Sequence, residues 1–376
     1  MDLSKAFDSV CHNKLLTKLE KLSIVGKELK WIKSYLENRT QYVEISYSIN
    51  NMVYKIKSNK NNIEIGVPQG SILGPLLWIC YINDIANDLS NPAQNKLIVY
   101  ADDITLKISS ETNIDIEKNT TTELKSFCQY TILNNLLVNP EKTNFMYFST
   151  RQNSSKIIPT VKINNTEIQK KSVINFLGIE IDEFLTWNSH IEKLTNKLNG
   201  GLYILRRMSH FCQEKTMKKI YYAHIHSHMT YGLLVYGGAS HKNLNRILQI
   251  QKKAVRIILN LHAHESVKSK FSELNILTIF GQYIYETILF YKRENTYNKN
   301  EILHAYNTRN KQEIIINHHQ MELFIKKPSY IGHKFYTKLP KLIKEQFDYK
   351  IFKNKLRNYI VKQNIYSIEE FLQIRN

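Results

Sequence analysis

KLIVYADDITLKIS, residues 96–109, is the stretch whose reading decides the fold. Two adjacent aspartates, Asp102 and Asp103, sit between two apolar runs. Leu97, Ile98, Val99 and Tyr100 lead in, and Ile104, Leu106 and Ile108 lead out at period two. That pattern predicts strand, tight turn, strand. Asp is a good turn former, so a polar hairpin tip is one reading. The other follows from repulsion: two carboxylates held together on a rigid turn cost free energy unless a cation offsets them. A third carboxylate from elsewhere in the chain would complete a site for magnesium. These residues alone leave both readings open.

Working outward, MDLSKAFDSV at the start reads as a strand passing into a turn, with Asp2 on the strand. If that strand neighbours the Asp-Asp hairpin in one sheet, three carboxylates meet at one edge; Asp8 competes for the same role. The next stretch, residues 12–24, places Leu15, Leu16, Leu19 and Leu22 at helical spacing, and a second helix follows Gly26. QYVEISYS and MVYKIKS alternate as strands joined near Asn50-Asn51, a hairpin turn. Residues 66–75 hold three Gly and two Pro and form a loop of special backbone shape. Ser71 is placed to cap the apolar helix that follows. Residues 113–137 read as an amphipathic helix, and 157–164 and 174–182 as two further strands. Mixed helices and strands give an α+β domain ending near residue 183. From Trp187 the pattern is helical: residues 190–209, 213–237 and 243–261 each read as one helix.

The chain has 376 residues and 43% hydrophobic composition, enough for two or three domains with real cores. No apolar run approaches the ~18 residues that span a bilayer, and the first residues are not a secretory signal. Four dispersed cysteines exclude a zinc or disulfide framework and fit a reducing compartment, so the expected location is nucleus or cytoplasm. Net charge is +19, and residues 240–376 carry 24 Lys/Arg against 11 Asp/Glu. Such an excess suits a polyanion, nucleic acid first and anionic membrane second, or a lysine-rich solvated surface. His224, His226 and His228 alternate without an acid or cysteine motif beside them and read as ordinary histidines, as do His318 and His319.

Five segments taken together carry a resemblance: DLSKAFDSV, GVPQGSILGPLLW, YADD, NPEKTNFMYF and NFLGIEID. In this order they resemble the palm motifs of reverse transcriptases, closest to the jockey-like group of non-LTR retrotransposons. The resemblance implies a polymerase palm over 1–183 (an antiparallel sheet with packed helices), a helical thumb-like region over 184–239, and a basic, mainly helical C-terminal region of retroelement type over 240–376. It implies an RNA-directed DNA polymerase using two Mg2+ ions, with Mn2+ as a substitute, held by Asp2, Asp102 and Asp103. RNA template, DNA primer, RNA–DNA hybrid and deoxynucleoside triphosphates are the implied partners, with no membrane.

Residue by residue, nucleotide-binding roles fall to Leu3, Phe7, Gln69 and Lys142. Phe7 would be the aromatic gate that excludes a 2′-hydroxyl, which argues against ribonucleotide use; Lys142 would lie near the triphosphate. Template and primer roles fall to Gly66, Pro68 and Gly70, and to Phe176, Leu177 and Gly178 as a primer-gripping hairpin. Read alone, these residues are equally a core Phe, turn glycines, a surface Lys and a buried strand. The family places a fingers region before its first catalytic aspartate. Here that aspartate is residue 2, so the expectation is an N-terminally truncated chain with the fingers largely missing. Its rival is a catalytically impaired nucleic-acid-binding remnant.

Overall fold

The structure, a computed structural model, describes residues 1–88, 95–149, 158–163, 166–294 and 321–374. It divides into two compact units, Met1–Ser172 and Val173–Asn376. His318 and His319 lie outside the described residues.

In the first unit four strands form one antiparallel sheet in the order Lys96–Tyr100, Asp103–Lys107, Asp2–Ser4, Leu137–Asn139. The hairpin at 96–107 forms as its alternation predicts. Leu3 and Ile104 turn into a core with Val10, Leu15, Leu19, Leu77, Trp78, Tyr81 and Phe127. The helices His12–Lys21, Leu73–Ile82 and Asn113–Leu133 supply most of that core, each through its apolar face. A half-buried cation, Lys18, crosses it. Lys18 Nζ reaches Asp84 Oδ1 at 2.7 Å, Tyr81 O at 2.7 Å and Tyr130 OH at 3.1 Å. Burial pushes the Asp84 carboxyl up, but the bonds from Lys18 and Tyr130 outweigh it and hold it below its ordinary value.

The Asn50-Asn51 turn forms as expected, with φ of 50° and 62°, the pair of positive values that a type I′ hairpin needs. Its strands Glu44–Ile49 and Met52–Lys57 pair in a register that sorts side chains by face. Ile45/Ile56, Tyr47/Tyr54 and Ile49/Met52 share one face, and all six are exposed.

The second unit is mainly helical. Its core runs through Asn188–Met208, Glu214–Tyr221, His241–Ile258, Ile279–Glu294, Pro328–Thr337 and Tyr349–Gln363. Two sequence expectations change here. The run 174–182, one strand by its pattern but a hairpin at 176–178 by the resemblance, is a hairpin, Val173–Phe176 paired with Ile179–Asp182 around Leu177 (φ 47°) and Gly178 (φ 83°). That hairpin belongs to the second compact unit, which begins at Val173. The reason is packing: Ile179 and Ile181 lie on the second unit's core, and Glu180 bonds Ser189 and, at 2.8 Å, Lys193. The long helix read at 213–237 is also broken. It passes through a π-helical turn, Tyr222–His226, and ends at Tyr231-Gly232, where φ is 68° at the glycine. Among the described residues, no helix is long and apolar enough to cross a membrane.

Candidate active site

The centre of the sheet brings Asp2 and Asp103 together. The Met1 nitrogen donates to Ile104 O at 2.6 Å, and Ile104 N–H donates back to Met1 O at 3.3 Å. Asp2 and Asp103 are the next pair in register, the narrow non-hydrogen-bonded kind in which side chains approach closest. Strand alternation turns both away from the core that Leu3 and Ile104 enter. Asp2 is half-buried, while Asp102 and Asp103 are exposed. Asp102 occupies the two-residue turn, after Ala101 at φ 52°. A non-glycine residue there is strained and must be held by its surroundings. Trp78 supplies one such hold: its indole Nε1–H donates to Ala101 O at 2.7 Å.

The loop at 66–70 is tied to the turn after the first strand. Val67 N–H donates to Phe7 O at 2.9 Å and Gly66 N–H to Val10 O at 2.7 Å, while Gly66 O lies 2.7 Å from His12 Nε2. Gly66 has φ 90°, and a Cβ there would come within 3.0 Å of the Asp8 backbone, so the position requires glycine. Gln69 is exposed, and its Nε2 donates to Asp8 Oδ1 at 3.0 Å. Asp8, the competing acid of the sequence, therefore orients Gln69. Pro68 O accepts from Ser71 Oγ at 2.7 Å, and Ser71 Oγ accepts from Gly74 N–H at 2.9 Å. Ser71 thus accepts from a first-turn N–H of the helix Leu73–Ile82, although the N-cap position itself falls to Ile72. Gly70 (φ 79°) has open space around it. Phe7 packs on Trp78, ring centres 5.4 Å apart.

Lys142 arrives through a third turn. Asn139 lies opposite Asp2, and its side-chain oxygen accepts from the N–H groups of Glu141 (3.1 Å) and Lys142 (3.2 Å). This Asx turn presents Lys142 Nζ 4.0 Å from Asp2 Oδ2. The pair is exposed enough to add little stability, so its interest is positional.

The structure therefore gathers Asp2, Asp103 and Lys142, with Asp102 on the adjoining turn, and ties Gln69 and Phe7 to one loop. Leu3 does not present its side chain to that site: it is 4% exposed and lies in the core. Phe176, Leu177 and Gly178 form the turn of the second unit's hairpin, where Leu177 O accepts from Tyr231 OH at 2.6 Å. Among the described residues, no three His, Cys, Asp or Glu side chains are gathered as a metal-binding group. Two carboxylates on one face still fit magnesium, which is usually held by one or two carboxylates, waters and substrate phosphates. The sequence reading missed Trp78 and the Asp8–Gln69 bond. A signal for Trp78 existed, because a buried indole N–H needs an acceptor.

Residues 1–181 match the family model described as reverse transcriptase (RNA-dependent DNA polymerase). The chain is 30% identical over 295 residues to a probable RNA-directed DNA polymerase from transposon BS of Drosophila melanogaster, covering 75% of this chain and 31% of that protein. It is 26% identical over 287 residues to one from transposon X-element of the same species, covering 75% and 30%. The RNA-directed DNA polymerase from mobile element jockey, also of Drosophila melanogaster, is 30% identical over 269 residues, covering 69% and 28%. The match thus spans less than a third of the length of these curated relatives.

Proposed function

Because this chain belongs, through residues 1–181, to the reverse transcriptase (RNA-dependent DNA polymerase) family, we propose that it carries the catalytic palm of an RNA-directed DNA polymerase from a jockey-like non-LTR retrotransposon. The observation that carries this reading is the narrow register pair of Asp2 and Asp103 beside the Asp102 turn, within the matched segment. Asp2, Asp102 and Asp103 hold Mg2+ in this reading. Bound there, the ions supply charge neutralisation on the triphosphate and lower the pKa of the attacking hydroxyl.

The chain's own residues do the rest. Lys142 beside Asp2 meets the phosphates and can hand a proton to the departing pyrophosphate. Gln69, held by Asp8, faces the incoming nucleotide, and the main chain at Leu3 lines its sugar. Phe7, braced on Trp78, excludes a 2′-hydroxyl. Gly66, Pro68 and Gly70 let the main chain approach the template, and Phe176, Leu177 and Gly178 hold the primer. The helices after 187 act as a thumb whose Lys and Arg bind phosphates without reading sequence.

Primer extension by the full chain on poly-rA/oligo-dT with Mg2+ or Mn2+ tests this reading. Synthesis that Asp102→Asn or Asp103→Asn abolishes supports it. Salt-dependent RNA binding without synthesis, indifferent to Asp102→Asn, would favour a catalytically impaired binding remnant. The lack of a gathered three-acid group among the described residues is the observation on that side.

A further inference from the structure

We propose that Trp78 is a positioning residue for the acidic turn, acting through one hydrogen bond to the main chain. This rests on the polymerase reading of the site. The hairpin turn has two central residues, Ala101 and Asp102, because Tyr100 pairs with Asp103. Ala101 has φ 52°, while Asp102 is not among the residues of positive φ. A positive φ at the first central position alone is the mark of a type II′ turn, and positive values at both mark type I′. The two types differ by a flip of the peptide between these residues. Both fit a hairpin, and Asp tolerates the left-handed conformation that type I′ would require of it. Ala101 lacks the glycine that type II′ prefers at its first central position, so the turn's own sequence does not keep Asp102 out of the left-handed conformation.

The group that flips is the Ala101 carbonyl, and this is the acceptor of the Trp78 indole N–H at 2.7 Å. Trp78 cannot follow a flip. It is fully buried on the helix Leu73–Ile82, with Tyr81 and Phe7 packed on its ring at centre distances of 6.3 and 5.4 Å. A flip would also strand a buried N–H without an acceptor. The indole therefore fixes the peptide from which the Asp102 side chain departs, one residue before Asp103 meets Asp2 in register. Ring packing alone would not do this, because an apolar ring leaves the carbonyl free to turn.

The test replaces Trp78 in the full chain by benzothienylalanine, which keeps the shape but puts sulfur in place of N–H. Trp78→Phe serves as a second variant, and Asp102→Asn as a control. Two measurements are made without nucleic acid: amide exchange of the segment 97–107, free of metal, and Mn2+ affinity by electron paramagnetic resonance. Both Trp78 variants are expected to exchange faster over 97–107 and to bind Mn2+ about tenfold more weakly, the scale of one lost buried hydrogen bond. The benzothienyl chain should keep the wild-type melting temperature. Wild-type exchange in that chain, or wild-type Mn2+ affinity, overturns the proposal. If Asp102→Asn leaves Mn2+ affinity unchanged while the exchange does respond, the metal-site reading fails and takes the positioning role with it. That result differs from failure of the hydrogen bond itself.

Discussion

Polar groups meet opposite fates at the acidic edge of the first unit and in the helical core of the second. In the second unit's core, Gln251 and Thr278 are consumed by the packing. Gln251 is fully buried; its Nε2 donates to Tyr221 OH and Leu277 O, and its Oε1 accepts from Ile279 N–H. Thr278 Oγ1 donates to Ile365 O across 87 residues of sequence. Such groups join helices and have nothing left to offer a ligand. At the acidic edge the main chain is held instead, by Trp78 on Ala101, by Asn139 on the 141–142 turn and by Ser71 on the 68–74 loop. The carboxylates of Asp102 and Asp103 stay exposed. Fixing main chain while leaving side chains open is what a binding edge needs, whereas Gln251 and Thr278 spend their polar atoms on neighbouring helices.

Breaking each region should give a different signature. Asp103→Asn removes charge from the edge without changing shape. It is expected to cut primer extension roughly a hundredfold or more, the scale for one preorganised charged group, with unchanged melting. A melting temperature that falls with activity would mean the carboxylate is structural. In the second unit, Gly237→Ala should do the reverse. A Cβ there would stand 2.1 Å from the Tyr283 ring and 2.6 Å from Leu233 O. The expected cost is about 1–3 kcal/mol of stability, read from chemical denaturation, with Mn2+ affinity unchanged.

Acid should separate the two units in the same spirit. Burial, with the Arg357 charge, holds His226 down to about 4. The unfolded chain takes up that proton first, near the ordinary histidine value of about 6.5, so stability drains as pH falls from there towards about 4. Asp84 is lowered instead, a carboxylate favoured in the fold. Its contribution is present above the ordinary carboxylate value and is lost only as pH falls through the folded one, below about 4. The second unit is expected to loosen first. Amide exchange resolved by segment between pH 7 and 3 checks the order, and His226→Phe should make the upper window shallower without removing it, because burial lowers His190 as well. Simultaneous loosening of both units would break the contrast.

How much of this was legible in the sequence follows the same division. Period-two and helical alternation placed the hairpins at 44–57 and 96–107 and the helices at 12–21, 26–36 and 113–133. Strand order was not legible. Asp2 and Asp103 are 101 positions apart, and only the pairing of their strands makes them neighbours. By pattern alone the residues at 174–182 read as one strand, because Leu177, an apolar residue, occupies a left-handed position that patterning assigns to Asn or Gly; only the resemblance pointed to a hairpin at 176–178. The break at 231–232 was missed for a related reason: one glycine inside a helical pattern does not announce a stop. Which core that hairpin joins is set by its packing partners, which spacing does not reveal. The family resemblance put Lys142 near a triphosphate; its place 4.0 Å from Asp2, and the Asn139 turn that presents it, were not legible.

The smallest expected effect tests how far that fixing of the edge extends. Gln69 is exposed and on a loop, so its side chain should wander unless something holds it. Asp8 Oδ1 is the acceptor that does so, and it is itself fixed because the Gly66 turn lies directly against the Asp8 backbone. Asp8→Ala leaves that turn in place and removes only the acceptor. Loss of one exposed hydrogen bond is worth about 0.5–1.5 kcal/mol, hence a several-fold rise in KM for deoxynucleotide with kcat nearly unchanged. Gln69→Ala should raise KM by the same or a larger factor, and the double variant should match Gln69→Ala alone, since Asp8 acts only through Gln69. Additive losses would show that Asp8 touches the nucleotide or a cation directly. That outcome would move it from a support of the loop to a member of the acidic edge.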